Sequence, residues 1–370
     1  MKPKPCYLAT LLRLKKIKLI QFKNYTHQSF HFDDRIIGIC GKNGLGKTNL
    51  LDAIYYLCFT KSYFSRSDQQ NIQLGTDGFR NEGIFLKNGK QLDAVCVVKE
   101  GLRKEFQLDG EAYEKFSAHI GLLPAVMVAP DDIQMITGGS EERRKYMDSL
   151  ISQLDADYLQ ALIEYNKVLQ QRNSYLKLTA AALHPDLQLL DVYDAQLIKT
   201  GNFIFSRRKH YLEIIMPAIK SFYFRIAGLA ESLELAYESQ LENGSFSELL
   251  QESRDRDIYM QRTQVGIHKD NIGITLQGEP FRFIASQGQR KSLLFAFKLA
   301  EFMLLKDIKG FSPILLLDDV FEKLDDSRMH NLLEWVCVEN DGQILITDTH
   351  KERIHQKMQE FQITYQLIEL

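Results

Sequence analysis

The segment Gly41-Lys42-Asn43-Gly44-Leu45-Gly46-Lys47-Thr48 matches the pattern G-x-x-x-x-G-K-[ST] in full. Such spacing has a phosphate-binding use. The glycines let backbone N–H groups turn inward around phosphate oxygens, and a helix opening at the end of the loop adds its positive terminus. In that arrangement Lys47 reaches the β- and γ-phosphates and the Thr48 hydroxyl ligates Mg2+, so ATP and Mg2+ are the expected cofactors. A second candidate is Leu315-Leu-Leu-Asp318-Asp319, a run of apolar residues that ends in two carboxylates. Asp318 is placed to hold Mg2+, and Asp319 to polarise an attacking water.

A third motif narrows the class. Ala285-Ser286-Gln287-Gly288-Gln289-Arg290 lies upstream of Asp318 and just before a helical pattern. It resembles the L-S-G-G-Q signature of the ABC-type ATPases, from which Gln287 departs. The resemblance implies that Ser286, Gly288 and Gln289 meet the γ-phosphate bound by an opposite subunit. Glu322-Lys-Leu-Asp325 falls where that class has its D-loop. Thr347-Asp-Thr-His350 falls where it has a switch histidine, and both His350 and Thr347 are candidates for the slot. A Q-loop glutamine is expected among Gln69, Gln70 and Gln73, with no choice among them.

These residues need a frame. Ile36–Cys40 is a continuous apolar run, the pattern of a strand covered on both faces. Helical periodicity follows from Leu50 to Cys58. Leu14–Phe22 alternates charged and apolar residues as a half-exposed strand does, and Phe30–Phe32 reads as a short strand. Glycine-punctuated short strands are expected over about 78–112. From about 130 the texture is helical, with helices expected at 141–154, 156–183, 187–212 and 213–236, interrupted at Pro185 and Pro217. Strands are expected again at Val265–Ile267, Ile272–Leu276, Pro313–Asp318 and Gln343–Thr347, with a helix at Gln289–Leu305. The expected fold is therefore α/β: a P-loop sheet split by an α-helical insertion too short for a long coiled-coil arm.

Composition excludes several classes. The chain has 370 residues, 45% hydrophobic and 25% charged, as an ordinary two-domain globular protein would have. Its apolar runs fall short of the roughly 18 residues that cross a bilayer, so no membrane association and a cytoplasmic location are expected. Five scattered cysteines, with no Cys-x-x-Cys, make neither a disulfide framework nor a zinc site. A net charge of −2 means that any DNA contact needs a local basic surface. The candidates are Arg207-Arg-Lys-His210 with its aromatic neighbours, Arg143-Arg-Lys145, and the first-strand group Arg13, Lys15, Lys16, Lys18 and Lys23.

Taken together, the motifs resemble the RecF family of bacterial recombination and replication-repair ATPases. The matching pieces are Leu19–Tyr25, Gly41–Thr48, Ala129–Ile133, Gly139–Asp148, Val265–Asp270, Ser286–Lys291 and Leu317–Phe321. Two departures are that residues 1–11 precede the family's usual start, and that Ile267 and Lys269 stand where Pro and Arg are more common. The resemblance implies an ABC-type head like those of Rad50 and the SMC proteins. The expected division is an N-terminal extension at 1–11, an ATPase domain at 12–128 and 260–370, and a helical insertion at 129–259. It further implies an ATP-dependent homodimer, binding to single-stranded DNA and gapped or duplex junctions, and cooperation with RecO and RecR in loading RecA. SOS induction is the expected downstream role. Asp319 is one methylene shorter than the Glu usual after the Walker B Asp, so slow hydrolysis is expected. An ABC transporter subunit would carry a smaller insertion. An OLD-type nuclease would need more chain after His350. A non-hydrolysing scaffold would not need Lys47, Asp318 and Asp319 intact.

Overall fold

The computed structural model describes residues 11–179, 186–228, 231–321 and 324–370. They fall into two compact units, one within Met1–Asp132, Phe222–Leu229 and Gln287–Leu370, the other within Ile133–Ser221 and Ala230–Ser286. The expected N-terminal extension lies outside the described residues except for Leu11, which bridges to Ser312.

The first unit opens with β1 (Leu12–Phe22), β2 (Tyr25–His31), β3 (Ile36–Cys40), α1 (Lys47–Phe59), β4 (Phe79–Lys87), β5 (Lys90–Val98), β6 (Lys104–Leu108), β7 (Glu111–Ala112) and β8 (Ala125–Val128). Six of these make an antiparallel sheet in the order β2-β1-β4-β5-β6-β7. In β1 the buried residues are Leu12 and Leu14, then Ile17 and Leu19, then Phe22, so the alternation changes parity at Lys15–Lys16 and again at Ile20–Gln21. A register shift against β4 between Leu14 and Lys16 absorbs the extra residue, as a β-bulge does. The expected short strand at Phe30–Phe32 is the end of the longer β2. Every residue of α1 from Leu50 to Phe59 is buried, because the helix packs against strands of both sheets of this unit.

The second unit contains α2 (Gln134–Thr137), α3 (Ser140–Leu154), α4 (Ala156–Thr179), α5 (Leu187–Ala227), β9 (Leu233–Glu238), α6 (Phe246–Met260), β10 (Asn271–Leu276), β11 (Glu279–Pro280) and α7 (Phe281–Ile284). Residues 180–183 of the expected helix at 156–183 lie outside the described residues. The expected break at Pro217 is absent: α5 runs through it for 41 residues, and its last turns group with the first unit. Pro217 and Glu213, whose carbonyl the proline leaves without a donor, both lie on the exposed face, while Leu212, Ile215, Ile219 and Tyr223 stay buried. The expected helix to 236 is replaced by β9, whose Leu-Glu-Leu-Ala-Tyr-Glu alternates in burial with period two. Because β9 pairs with β10, residues 260–286 belong to this unit rather than to the expected ATPase segment. Ile267–Lys269 is a helical turn, not the expected strand.

Two arginines with no exposed surface organise this unit. Arg172 donates to Asp194 at 2.7 Å, Asp257 at 2.7 Å and Thr263 at 2.9 Å. Arg208 donates to Asp270 at 2.7 Å, Asp148 at 2.8 Å and the Ile267 carbonyl at 2.7 Å. Both are internal cations held by carboxylates from distant parts of the chain.

The chain then returns to the first unit with α8 (Gln287–Lys309), β12 (Ile314–Leu317), α9 (Asp326–Leu333), β13 (Ile344–Asp348), α10 (Lys351–Glu360) and β14 (Gln366–Glu369). A parallel sheet in the order β14-β3-β13-β12-β8 results. Four of its strands, β3, β8, β12 and β13, are buried at every position. The buried Gln343 ties the two sheets together, accepting from Leu14 N at 2.7 Å and donating to Leu14 O at 2.9 Å. No helix among the described residues is long and apolar enough to cross a membrane.

Removing Arg208 takes the ion-pair partner from the buried Asp270 and from the half-buried Asp148, so Arg208→Ala is expected to lose about 3–5 kcal/mol of stability. Its neighbour Arg207, whose side chain is 42% exposed, is expected to lose at most about 1 kcal/mol on the same change. Urea unfolding of the two variants checks this, and equal losses would remove Arg208 from its organising role.

Candidate functional site

Parallel pairing of β3, β13 and β12 brings their carboxyl ends to one edge of the sheet. The loop Gly41–Thr48 leaves β3 at that edge. Gly44 and Gly46 have φ of +85° and +113°, a region that favours glycine. A Cβ on Gly46 would also stand 2.6 Å from Asn24 Nδ2 and 2.8 Å from the Tyr25 hydroxyl. Those two side chains brace the loop from the β1–β2 turn: Asn24 donates to Leu45 O at 2.9 Å and Tyr25 to Gly46 O at 3.0 Å. Burial pushes the Tyr25 phenol well above its ordinary pKa, which keeps it a donor. Lys47, at the first turn of α1, is buried and donates to Gly41 O at 2.7 Å and Lys42 O at 3.2 Å.

Asp318, at the end of β12, is the hub. Thr48 Oγ1 donates to its carboxylate at 2.8 Å and Thr347 Oγ1 at 2.7 Å. The Thr347 hydroxyl accepts in turn from Asp319 N at 2.9 Å. Burial raises the Asp318 pKa, and the two hydroxyl donors oppose that shift. Asp319 itself is half-buried and sits at φ +47°, in the left-handed region that a non-glycine residue enters at a cost. Two neighbouring oxygen ligands of an octahedral Mg2+ with bonds of about 2.1 Å stand about 3 Å apart. Thr48 Oγ1 and Asp318 Oδ2 already have that separation, so this oxygen pair fits the ion.

The remaining candidates lie elsewhere. Ser286 ends the second unit and Gln287 opens α8, both exposed, with Gly288 and Gln289 half-buried in the first turn. His350 is exposed at the start of α10, where its backbone N–H donates to Asp348 at 2.6 Å. Of the two residues considered for the switch position, Thr347 is the one in contact with Asp318. Gln70 accepts from Arg66 N at 3.1 Å, Gln73 donates to Thr26 at 2.9 Å, and Gln69 is exposed. Glu322 and Lys323 of the expected D-loop lie outside the described residues, and Asp325 caps α9.

Asn24, Tyr25 and Asp132 also have structural roles that their residue types alone do not announce, although all three lie in motif pieces quoted above. Asp132 accepts from Ala129 N at 2.9 Å and from the Tyr63 hydroxyl, and lies 3.4 Å from Lys298 Nζ. Two of the expected DNA clusters are corrected. Arg208 is consumed inside the second unit, and Arg143 is buried, donating to Asn271 at 2.7 Å and to the Met135 and Gly138 carbonyls.

Comparison with known proteins bears on this geometry. A family model described as RecF/RecN/SMC N terminal domain matches residues 13–367. The DNA replication and repair protein RecF of Flavobacterium johnsoniae is 43% identical over 359 residues, covering 97% of this chain and 100% of the relative. The protein of that name from Bacteroides thetaiotaomicron is 40% identical over 355 residues, covering 96% and 95%. Among solved structures, the recombination mediator protein RecF with ATP, described as part of the RecFOR pathway, superimposes with a TM-score of 0.86 at 30% identity, covering 94% of this chain and 95% of that one. An Smc head domain from Pyrococcus furiosus has a TM-score of 0.55 at 16% identity, covering 93% and 92%, a likeness of fold alone. The fold is that of an ABC-type P-loop ATPase head with a helical insertion, and the chain belongs to the RecF family.

Proposed function

We propose that this chain is a slow, Mg2+-dependent ATPase that closes into a dimer on ATP and acts on DNA in replication and repair. The observation that carries the reading is the hydroxyl–carboxylate chain Thr48–Asp318–Thr347–Asp319 beside the phosphate loop. In this reading the backbone N–H groups of Gly41–Thr48 and the Lys47 ammonium cradle the phosphates. Thr48 and Asp318 hold Mg2+, which supplies charge neutralisation at the phosphates when bound. Asp319 orients and polarises the attacking water, and Thr347 fixes the Asp319 backbone. Ser286, Gly288 and Gln289 meet the γ-phosphate of a second copy, because an exposed signature turn on one chain has its use on another. His350 is the candidate that joins the site only in the dimer, and Gln69, exposed beside it in sequence to the tethered Gln70, is the favoured Q-loop residue.

The names of the relatives support the biological side. Proteins called DNA replication and repair protein RecF match over nearly the whole chain, and a solved relative is placed in the RecFOR pathway. The finer reading is binding at single-strand gaps and duplex junctions in the cytoplasm, release on hydrolysis, cooperation with RecO and RecR in loading RecA, and a contribution to SOS induction.

Phosphate release tests the chemistry. Steady-state turnover is expected well below tens per second. Asp319→Asn is expected to lower it by about 10²–10⁴-fold, the contribution of a positioned general base. Lys47→Arg is expected to remove it as well. Turnover of tens per second, or an Asp319→Asn rate equal to wild type, would contradict the assignment.

Sedimentation velocity tests the dimer. Asp319→Asn protein with saturating MgATP is expected to sediment as a dimer, and without nucleotide as a monomer. The same sedimentation in both conditions would remove the ATP-gated dimer.

A further inference from the structure

We propose that the outer face of the β2–β1–β4 edge of the antiparallel sheet receives the phosphodiester backbone of DNA, with Lys16 and Lys18 as phosphate contacts; this rests on the DNA-binding reading above. Strand register defines the face. Lys16 stands opposite His31 on β2 and Ile84 on β4. Lys18 stands opposite Ser29 and Glu82, and Ile20 opposite His27 and Arg80. Directly paired residues share one side of an antiparallel sheet. Within these three strands the face carries Lys16, Lys18, Arg80, His27 and His31 against one carboxylate, Glu82, and Asp93 of β5 stands next on it, opposite Ile84. Arg80 pairs with Glu82. Neither Lys16 nor Lys18 makes an ion pair among the described residues.

The other basic clusters are committed elsewhere. Arg208 and Arg143 are buried. Arg144 donates to Asp270 O at 2.8 Å, and Lys145 pairs with Glu141 and Glu142. For a chain of net charge −2, the β1 lysines are thus a local excess of positive charge with no internal use. Its spacing suits a polyphosphate. Residues two apart on a strand are about 6.8 Å apart. That is about twice the 3.4 Å axial repeat of phosphates along one DNA strand. β2 ends the sheet, so its outer edge also offers backbone N–H groups, which commonly contact phosphates.

The test is the salt dependence of binding. Anisotropy of a labelled duplex oligonucleotide is titrated with full-length protein and MgATP at several salt concentrations. The proteins are wild type, Lys16→Ala/Lys18→Ala, Lys16→Arg/Lys18→Arg, and the control Lys145→Ala/Lys209→Ala. Thermal unfolding of each variant verifies the fold. The alanine pair is expected to lower the slope of log K against log salt by about 1.8, from two lost phosphate contacts. The arginine pair is expected to restore it, and the control pair to leave it near wild type. A wild-type protein that binds DNA, with an unchanged slope in the alanine pair or an equal drop in the control, overturns this face alone. Those outcomes would leave it to an acidic protein partner. No binding by the wild type overturns the DNA reading and this face with it.

Discussion

A buried carboxylate has to be satisfied, and Asp318 is the one around which the first unit is arranged. It is the residue that follows the four buried positions of β12, so the apolar run that fixes the strand also fixes where the charge emerges. Its donors come from the start of α1 and the end of β13, both at the same edge because the sheet is parallel there. Thr347 is shared between Asp318 and the backbone of Asp319, which couples the proposed Mg2+ ligand to the residue proposed to activate water. The geometry of one hydroxyl thus ties two chemical roles together. The brace from Asn24 and Tyr25 does the same for the phosphate loop from its other side.

The second unit solves a different problem with similar means. Its helices are held by Arg172 and Arg208, each a fully buried cation neutralised by carboxylates far away in sequence. Asp148 and Asp270 lie in two of the motif pieces that carry the family resemblance, and both partner Arg208. Those motifs have an architectural use here: their carboxylates neutralise Arg208, a cation that the interior of the insertion would otherwise hold unpaired.

What was legible in the sequence was local. The phosphate loop, Asp318 and Asp319, and the buried strands can be read from contiguous residues, because their chemistry and their periodicity sit in a few neighbouring positions. The split of the sheet by a helical block was legible for the same reason. Contacts between separate segments were not. Nothing near Asn24 announces Leu45, and nothing near Thr347 announces Asp318. Arg207-Arg-Lys-His210 read as a basic patch, yet the fold turns Arg208 inward, a direction that composition does not encode. Pro217 read as a break, but the apolar stripe on either side of it holds α5 together. β9 was hidden because its alternation is only six residues long and directly follows a long helix.

The most direct test of the account is calorimetric titration of ATP with and without Mg2+ into wild type, Asp318→Asn and Asp319→Asn. Asp318 is assigned to the metal and Asp319 to the water, so the account predicts that Mg2+ strengthens ATP binding in wild type and Asp319→Asn but not in Asp318→Asn. An Asp318→Asn protein that keeps the full Mg2+ effect would contradict it.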